Sequence, residues 1–358
     1  MIPVTKAYLP PLNEYQKYLE KIWETSHVTN LGPLVKELES KLKAYLGVKH
    51  LFFVTNGTVA IQIAIKALEL KGEIITTPFS YVATTASIQW EGCKPVFADI
   101  EPRSFTIDSS LIEEKITAKT SAILATHVYG IPCDVEAIQK IAAKYKLKII
   151  YDAAHAFGVN HRGTSVLNHG DVSTMSFHAT KLFHTGEGGA IITNNDGLAR
   201  KISYLMNFGH KGQEDFWGLG INGKTSELHA AMGLCVLPRV KELISKRKKI
   251  FQYYDANLTE ANLVRPAILS ETEYNYSYYP VLFASEELLL KSRQALNEKQ
   301  IFPRRYFYPS LNKLNYVDNV NMTVAEDISK RVLCLPLYHD LSEPELKMIA
   351  GSIINAAK

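Results

Sequence analysis

From about residue 34 to 240 the chain alternates short apolar runs with stretches of helical periodicity, and no other feature narrows its fold as much. Strands buried on both faces read as near-continuous apolar runs, and parallel neighbours need a helix-length crossover between them. The alternation therefore predicts an α/β fold, with a mainly parallel central sheet flanked by helices. The runs LFFVT (51–55), EIITT (73–77), PVFADI (95–100), SAILATH (121–127), KIIYDA (148–153) and AIIT (190–193) are rich in β-branched residues and bounded by turn formers, as strands are. One helix is announced by Gly32-Pro33 and closed by Gly47, and a second begins at Gly57-Thr58. After residue 240 the rhythm changes to a long basic helix, an aromatic strand over 274–283, and helices near 323–333 and 343–356. This predicts a large domain over 1–240 and a smaller C-terminal α+β domain over 241–358, with the N-terminal segment available to pack on the small one.

Several function classes fall away on composition. The net charge of +4 is mild and its lysines are evenly spread, so a nucleic-acid groove is not expected, while an anionic substrate is. The densest basic cluster, Lys246 to Lys249, lies within a helical pattern and reads as a solvated face. Cys93, Cys133, Cys235 and Cys334 stand far apart, with no C-x-x-C pair and no zinc-site spacing; they read as reduced thiols of a cytoplasmic protein, and no metal is expected. The N-terminus lacks a basic flank before an apolar core, and no apolar run approaches 18 residues, so neither secretion nor membrane insertion is expected.

Ligands of open α/β sheets bind beyond the carboxyl ends of the strands, so the polar residues following each run carry the interest. After LFFVT comes Asn56-Gly57-Thr58, where a helix start offers free N–H groups to a phosphate, and where a simple helix cap fits as well. After KIIY comes Asp152, followed by His155; a buried carboxylate here either caps the next helix or meets a cation, such as the protonated ring nitrogen of pyridoxal phosphate. The stretch STMSFHATK leads from an alternating strand into a turn with Ser176, His178 and Lys181. A lysine desolvated in such a pocket loses its proton readily, and the neutral amine can form a Schiff base. Tyr81 follows a further strand and suits either the core or the face of a flat ring.

One motif points elsewhere. Residues 218–225, GLGINGKT, satisfy both the P-loop and the dinucleotide patterns, which makes a nucleotide-binding ATPase the rival reading. Either pattern needs a buried strand immediately before it. The preceding NFGHKGQEDFW is polar, and the best strand ending in Asp, KIIYD, comes earlier in the chain, so the rival is disfavoured.

Taken in order, NGTVAIQIAI (56–65), TPFSYVATTASI (77–88), GCKPVFADI (92–100), THVYG (126–130), YDAAHAFG (151–158), SFHATK (176–181) and TGEGGAI (185–191) make the chain resemble the DegT/DnrJ/StrS family of nucleotide-sugar aminotransferases, fold-type I pyridoxal-phosphate enzymes. The resemblance, which also includes TNLGPLVKELE (29–39), implies that Lys181 holds the cofactor and shuttles the proton, and that Asp152 holds its ring nitrogen. It implies that Tyr81 stacks on the ring, that His155 sits near its oxygen, and that Gly57, Thr58 and Ser176 bind its phosphate with Asn222 from a partner subunit. A homodimer with shared sites follows. Thr29, Asn30, Arg304, Tyr306 and Tyr308 are placed by it near the sugar or its nucleotide.

The implied reaction runs in two halves. L-glutamate gives its amino group to the cofactor, which then aminates a nucleotide-linked keto-sugar, foremost C-4 of a dTDP-4-keto-6-deoxyhexose, giving an amino sugar for a polysaccharide or a glycosylated metabolite. A C-3 aminotransferase stays open, as do UDP and GDP sugars, and a non-catalytic cofactor-binding regulator is the reading from another class. Relatives that act as dehydratases carry His where this chain has Lys181, which argues against them. Two departures stand out: Ala179 where the family has proline, and Lys224-Thr225 after G-x-N where it often has Arg-Met or Arg-Leu.

Overall fold

The sheet expected from the apolar runs is present. The structure, a computed structural model that describes residues 1–357, orders seven strands as His50–Val54, Gly189–Thr193, Val172–Ser176, Lys148–Asp152, Thr120–Thr126, Glu73–Thr76 and Lys94–Phe97. All neighbours are parallel except Gly189–Thr193, which is antiparallel to the strands on both sides. That exception has a simple cause. Strands Val172–Ser176 and Gly189–Thr193 are joined by a loop with no helix long enough to cross over, and the loop doubles back through Phe177 N–H to Gly188 O at 2.8 Å. Crowding from both neighbouring strands explains a glycine here: a Cβ on Gly189 would lie 2.5 Å from the Asn56 carbonyl carbon and 2.7 Å from the Met175 carbonyl oxygen.

The run 95–100 leaves the sheet at Phe97, because Asp99 is diverted to the C-terminal region. Its carboxylate accepts the N–H groups of Val324 and Ala325, both at 2.9 Å, at the start of helix Thr323–Arg331. Helix Pro33–Leu46 follows its sequence signals, burying Leu34, Val35, Leu38, Leu42 and Leu46 on one face, with Gly47 closing it at φ 64°. Helix Gly57–Ala67 starts at the end of the first strand, as read.

The C-terminal region packs helices Val240–Asn257, Glu286–Glu298 and Glu343–Ala357 with the strand pair Tyr279–Leu282 and Val332–Leu335, around Phe251, Tyr254, Leu289, Leu296 and Ile353. The N-terminal Ile2–Pro3 pairs in parallel with Ile301–Phe302, so the first residues join this region. An aromatic cluster containing Phe79, Phe105, Tyr129 and Phe307 bridges the two regions beside the strand ends.

Two readings need correction. The aromatic run 274–283 is a strand only over Tyr279–Leu282; residues 274–278 form a strap whose side chains hold it to the sheet, with Asn275 Nδ2 donating to the His155 and Phe157 carbonyls at 2.8 and 3.1 Å. The basic cluster is not uniformly solvated, for Lys246, Lys248 and Lys249 are exposed but Arg247 is 4% exposed. The spacing Leu243, Arg247, Ile250, Phe251, Tyr254 puts Arg247 on the buried stripe of its helix.

One carboxylate outside the site yields a prediction. Glu39 accepts the Phe53 N–H at 2.8 Å on the edge strand, and burial pushes its carboxyl up to about 7 despite that bond and nearby lysines. The folded state thus keeps a proton that the unfolded chain releases near pH 4.5, so stability falls as pH rises through this window and levels off above about 7. Glu39→Gln keeps a carbonyl acceptor without the charge. It is expected to raise stability at pH 8 by roughly 1–3 kcal/mol and by nothing measurable at pH 4, as read by urea unfolding at both pH values.

Candidate active site

The chemistry-bearing residues gather at the carboxyl ends of the parallel strands, around a cavity of about 630 Å³. Asp152, the last residue of its strand, is 6% exposed. One carboxylate oxygen accepts the Thr84 hydroxyl at 2.7 Å and the other accepts the Ala154 N–H at 3.1 Å. Behind Thr84 the hydroxyls continue, with Ser80 Oγ at 2.8 Å and Thr126 Oγ1 donating to Ser80 at 3.2 Å. Burial raises the Asp152 carboxyl above its ordinary value, and the Thr84 bond, the Ala154 bond and the charge of Lys181 oppose that rise. No cation of the described residues pairs with it directly.

Lys181 lies in the loop between two sheet strands, which is pinned by Ala179 N–H to Gly186 O and Lys181 N–H to His178 O, both at 2.8 Å. Its side chain is partly open to the cavity while protein surrounds the amine, which lies 3.3 Å from the Tyr278 hydroxyl. Burial pushes the ammonium down to about 8, with Asp152 pulling the other way. His155 is buried. Its Nδ1 accepts the Tyr129 N–H at 3.1 Å, which leaves the ring proton on Nε2, and its ring stacks on Phe307 at 5.6 Å. Burial, with Lys181 adding to it, holds His155 neutral, well below the usual histidine range.

At the mouth of helix Gly57–Ala67 the two sequence readings are compatible. Asn56 Oδ1 caps the helix by accepting the Val59 N–H at 2.9 Å, while Gly57 and Thr58 precede the first intrahelical bond and their N–H groups remain for a ligand. Ser176 stands against this helix start, since a Cβ on Gly57 would lie 3.0 Å from Ser176 Cβ. Tyr81 lines the cavity and is 58% exposed. His178 and Glu187 also line it, 3.6 Å apart.

Of the residues expected near the sugar or nucleotide, Tyr306 lines the cavity, whereas Arg304 and Tyr308 line an adjoining open cleft of about 1210 Å³ that shares Tyr81 and Tyr306 with it. Thr29, Asn30 and Asn222 are exposed and do not line the cavity of their own chain. Their two segments meet on one flank. Glu227 N–H donates to Val28 O at 2.9 Å, and the Glu227 carboxylate accepts the Leu34 and Val35 N–H groups at 2.8 and 2.9 Å.

Residues 218–225 lack the strand a nucleotide loop needs, and the next helix starts only at Glu227. Lys224, the lysine a P-loop would send to a phosphate, is 8% exposed and bonds Asn207 Oδ1 at 2.7 Å. The same burial answers the departure noted at Lys224: the side chain is turned inward, onto Asn207.

Sequence reasoning missed Thr84, Tyr129 and Tyr278, and it put Phe307 only in the 304–308 segment expected near the sugar, not against His155. Thr84 could have been found, because it lies three residues after Tyr81 in the first turn of helix Val82–Trp90 and so on the same side. Tyr278 and Phe307 come from the C-terminal region, and their approach to Lys181 and His155 has no local signal.

A family model described as the DegT/DnrJ/EryC1/StrS aminotransferase family matches residues 12–354. The chain is 44% identical to the dTDP-4-amino-4,6-dideoxy-D-glucose transaminase of Shigella dysenteriae, over 98% of this chain and 97% of that protein. It is 43% identical to the Escherichia coli protein of the same description, over 96% and 95%. Among solved structures, DesI in the presence of its TDP-sugar product superimposes with a TM-score of 0.95 at 28% identity, covering 99% of this chain and 93% of that one. Matched from its first long helix to its last, the chain belongs to the DegT/DnrJ/EryC1/StrS aminotransferase family, whose cofactor is pyridoxal phosphate.

Proposed function

We propose that this chain transfers the amino group of L-glutamate to C-4 of a dTDP-4-keto-6-deoxyhexose, giving dTDP-4-amino-4,6-dideoxy-D-glucose for a surface polysaccharide. The observation that carries the reading is one cavity holding a buried amine of lowered proton affinity, Lys181, and a buried carboxylate without a cationic partner, Asp152. Both relatives above bear the name of this C-4 amino product, which favours C-4 over C-3 and dTDP over other nucleotides.

The residues fit pyridoxal phosphate. Asp152, held by Thr84 and Ala154, suits a protonated ring nitrogen, and the N–H groups of Gly57 and Thr58 with the Ser176 hydroxyl suit a phosphate. When bound, the cofactor supplies an electron sink for charge developing at the carbon that gains or loses nitrogen. Lys181, neutral in a large fraction near pH 8, takes the proton from that carbon and returns it. His155, kept neutral with its proton on Nε2, would donate to the oxygen of a bound ring, and Tyr81, which lines the cavity, would help to hold that ring. Arg304, Tyr306 and Tyr308 receive the sugar nucleotide from the adjoining cleft.

A homodimer completes this reading. Asn222 of the partner subunit closes the phosphate site, and the partner's Thr29 and Asn30 approach the sugar, which accounts for their exposed positions on one flank. The large domain spans 1–240 and the small one 241–358, and the enzyme works in the cytoplasm, where nucleotide sugars are made.

The test incubates the cofactor-loaded protein with L-glutamate and dTDP-4-keto-6-deoxy-D-glucose. Expected are 2-oxoglutarate and an equal amount of a dTDP-amino sugar carrying its nitrogen at C-4 by NMR. Amination of the 3-keto isomer alone would move the reading to C-3, and no 2-oxoglutarate with either sugar would remove glutamate as the donor.

A further inference from the structure

Arg247 is a buried guanidinium without a carboxylate. Among the described residues no acidic group lies within ion-pair distance of it, its Nε has no hydrogen-bond partner, and its one bond is Nη1 to the Ser277 carbonyl at 3.1 Å. Desolvation depresses it to about 10. Such a charge is costly, and a buried polar group left this way calls for a reason. The groups that sense it are Tyr278, which burial raises and Arg247 opposes, and His339, which burial pushes down with Arg247, Lys246 and Lys6 adding to it against Asp340.

The strap 274–278 supplies the reason. It has no strand ladder to hold it, so side chains do: Tyr274 OH donates to Tyr129 O at 2.9 Å, Asn275 donates to the His155 and Phe157 carbonyls, and Arg247 takes the Ser277 carbonyl. The strap ends at Tyr278, whose ring meets those of His155 at 4.9 Å and Tyr306 at 5.9 Å edge-on, and whose hydroxyl is 3.3 Å from Lys181 Nζ. Asp152, Tyr81 and His155 are the other titratable groups facing that amine. The Lys181 amine stands as donor to the Tyr278 oxygen, and once the amine has lost its proton the same 3.3 Å contact runs the other way, with the Arg247 charge making the phenol the better donor.

We propose that the Tyr278 hydroxyl receives the Lys181 amine whenever that amine is not bonded to the cofactor and keeps it neutral by donating to it, and that Arg247 is the positioning residue that holds and polarises Tyr278. The proposal rests on the amino-transfer reading above. In that reading Lys181 alternates between a bonded and a free state, and the free amine must be unprotonated to take a proton.

The experiment uses protein loaded with pyridoxamine 5′-phosphate, in which Lys181 is free. Acetic anhydride labelling from pH 6 to 10, read by mass spectrometry on the peptide containing Lys181, gives its titration midpoint without turnover. Tyr278→Phe, which keeps the ring, and Arg247→Met are each expected to raise the midpoint by at least about half a unit. In the pyridoxal form they are expected to slow the glutamate half-reaction roughly tenfold, with KM for glutamate within about twofold. Arg247→Lys, which retains a cation and a donor, is expected to restore most of both effects. A wild-type midpoint and rate in Tyr278→Phe would overturn the proposal, as would equal losses in Arg247→Met and Arg247→Lys. Failure of the wild type to react with glutamate would sink the functional reading instead, and the labelling midpoints would still decide whether Tyr278 and Arg247 act on the amine.

Discussion

Lys181→Ala is expected to bind pyridoxal phosphate without the visible band of the lysine-bound cofactor and to turn over on the order of 10⁴-fold more slowly than wild type. The reason is positional. The Lys181 amine is the nitrogen that burial depresses to about 8, whereas Asp152 is committed to Thr84 and Ala154, and His155 is tied through Nδ1 to the Tyr129 backbone. Among the described residues lining the cavity, Lys181 is the one primary amine. The substitution removes a partly buried chain that bonds only the Tyr278 hydroxyl, so the fold should survive, and circular dichroism should match wild type. Absorption with and without L-glutamate decides the matter. A variant that keeps the band, or loses less than about tenfold in kcat, would place the cofactor's lysine elsewhere.

The second large effect is expected at Asp152. Asp152→Asn keeps the shape but offers one acceptor oxygen in place of two, so either the Thr84 hydroxyl or the Ala154 N–H must face an amide NH₂. It also removes the charge that favours a proton on a ring nitrogen. Loss of a charge-assisted hydrogen bond of about 3 kcal/mol corresponds to roughly 10²-fold in rate, and both half-reactions should slow together. Transient kinetics of each half-reaction measure this. Slowing of the sugar half alone would mean that Asp152 serves the substrate and not the cofactor.

The N-terminal part of the site was largely legible. Gly57, Thr58 and Asp152 each follow an apolar run, Ser176 and Lys181 stand at and beyond the end of an alternating strand, and a parallel sheet brings the carboxyl ends of its strands to one side whatever the register. Even the antiparallel strand Gly189–Thr193 has a local cause, the short loop that returns Lys181 to the same side. The false nucleotide motif could be rejected locally too, because it has no strand before it. The burial of Arg247 was legible in principle from the i, i+4, i+7 stripe of Leu243, Arg247 and Ile250, but a run of basic residues masks that stripe.

By itself, then, the sequence determined the class of sheet and the strand ends at which the cavity-lining residues stand, Lys181 and Asp152 among them. These depend on periodicity and on turn chemistry, which act over a few residues. Tertiary structure alone decided what surrounds those residues: Tyr278 against Lys181, Phe307 against His155, Arg247 behind the strap, and Thr29, Asn30 and Asn222 on an outer flank and outside the cavity of their own chain. The first two are meetings of the C-terminal region with the strand ends, the third lies within the C-terminal region, and the last joins residues 28–35 to Glu227; all bring together segments distant in sequence. The depressed lysine follows the same rule, since its proton affinity is set chiefly by burial, and burial is a property of the assembled fold.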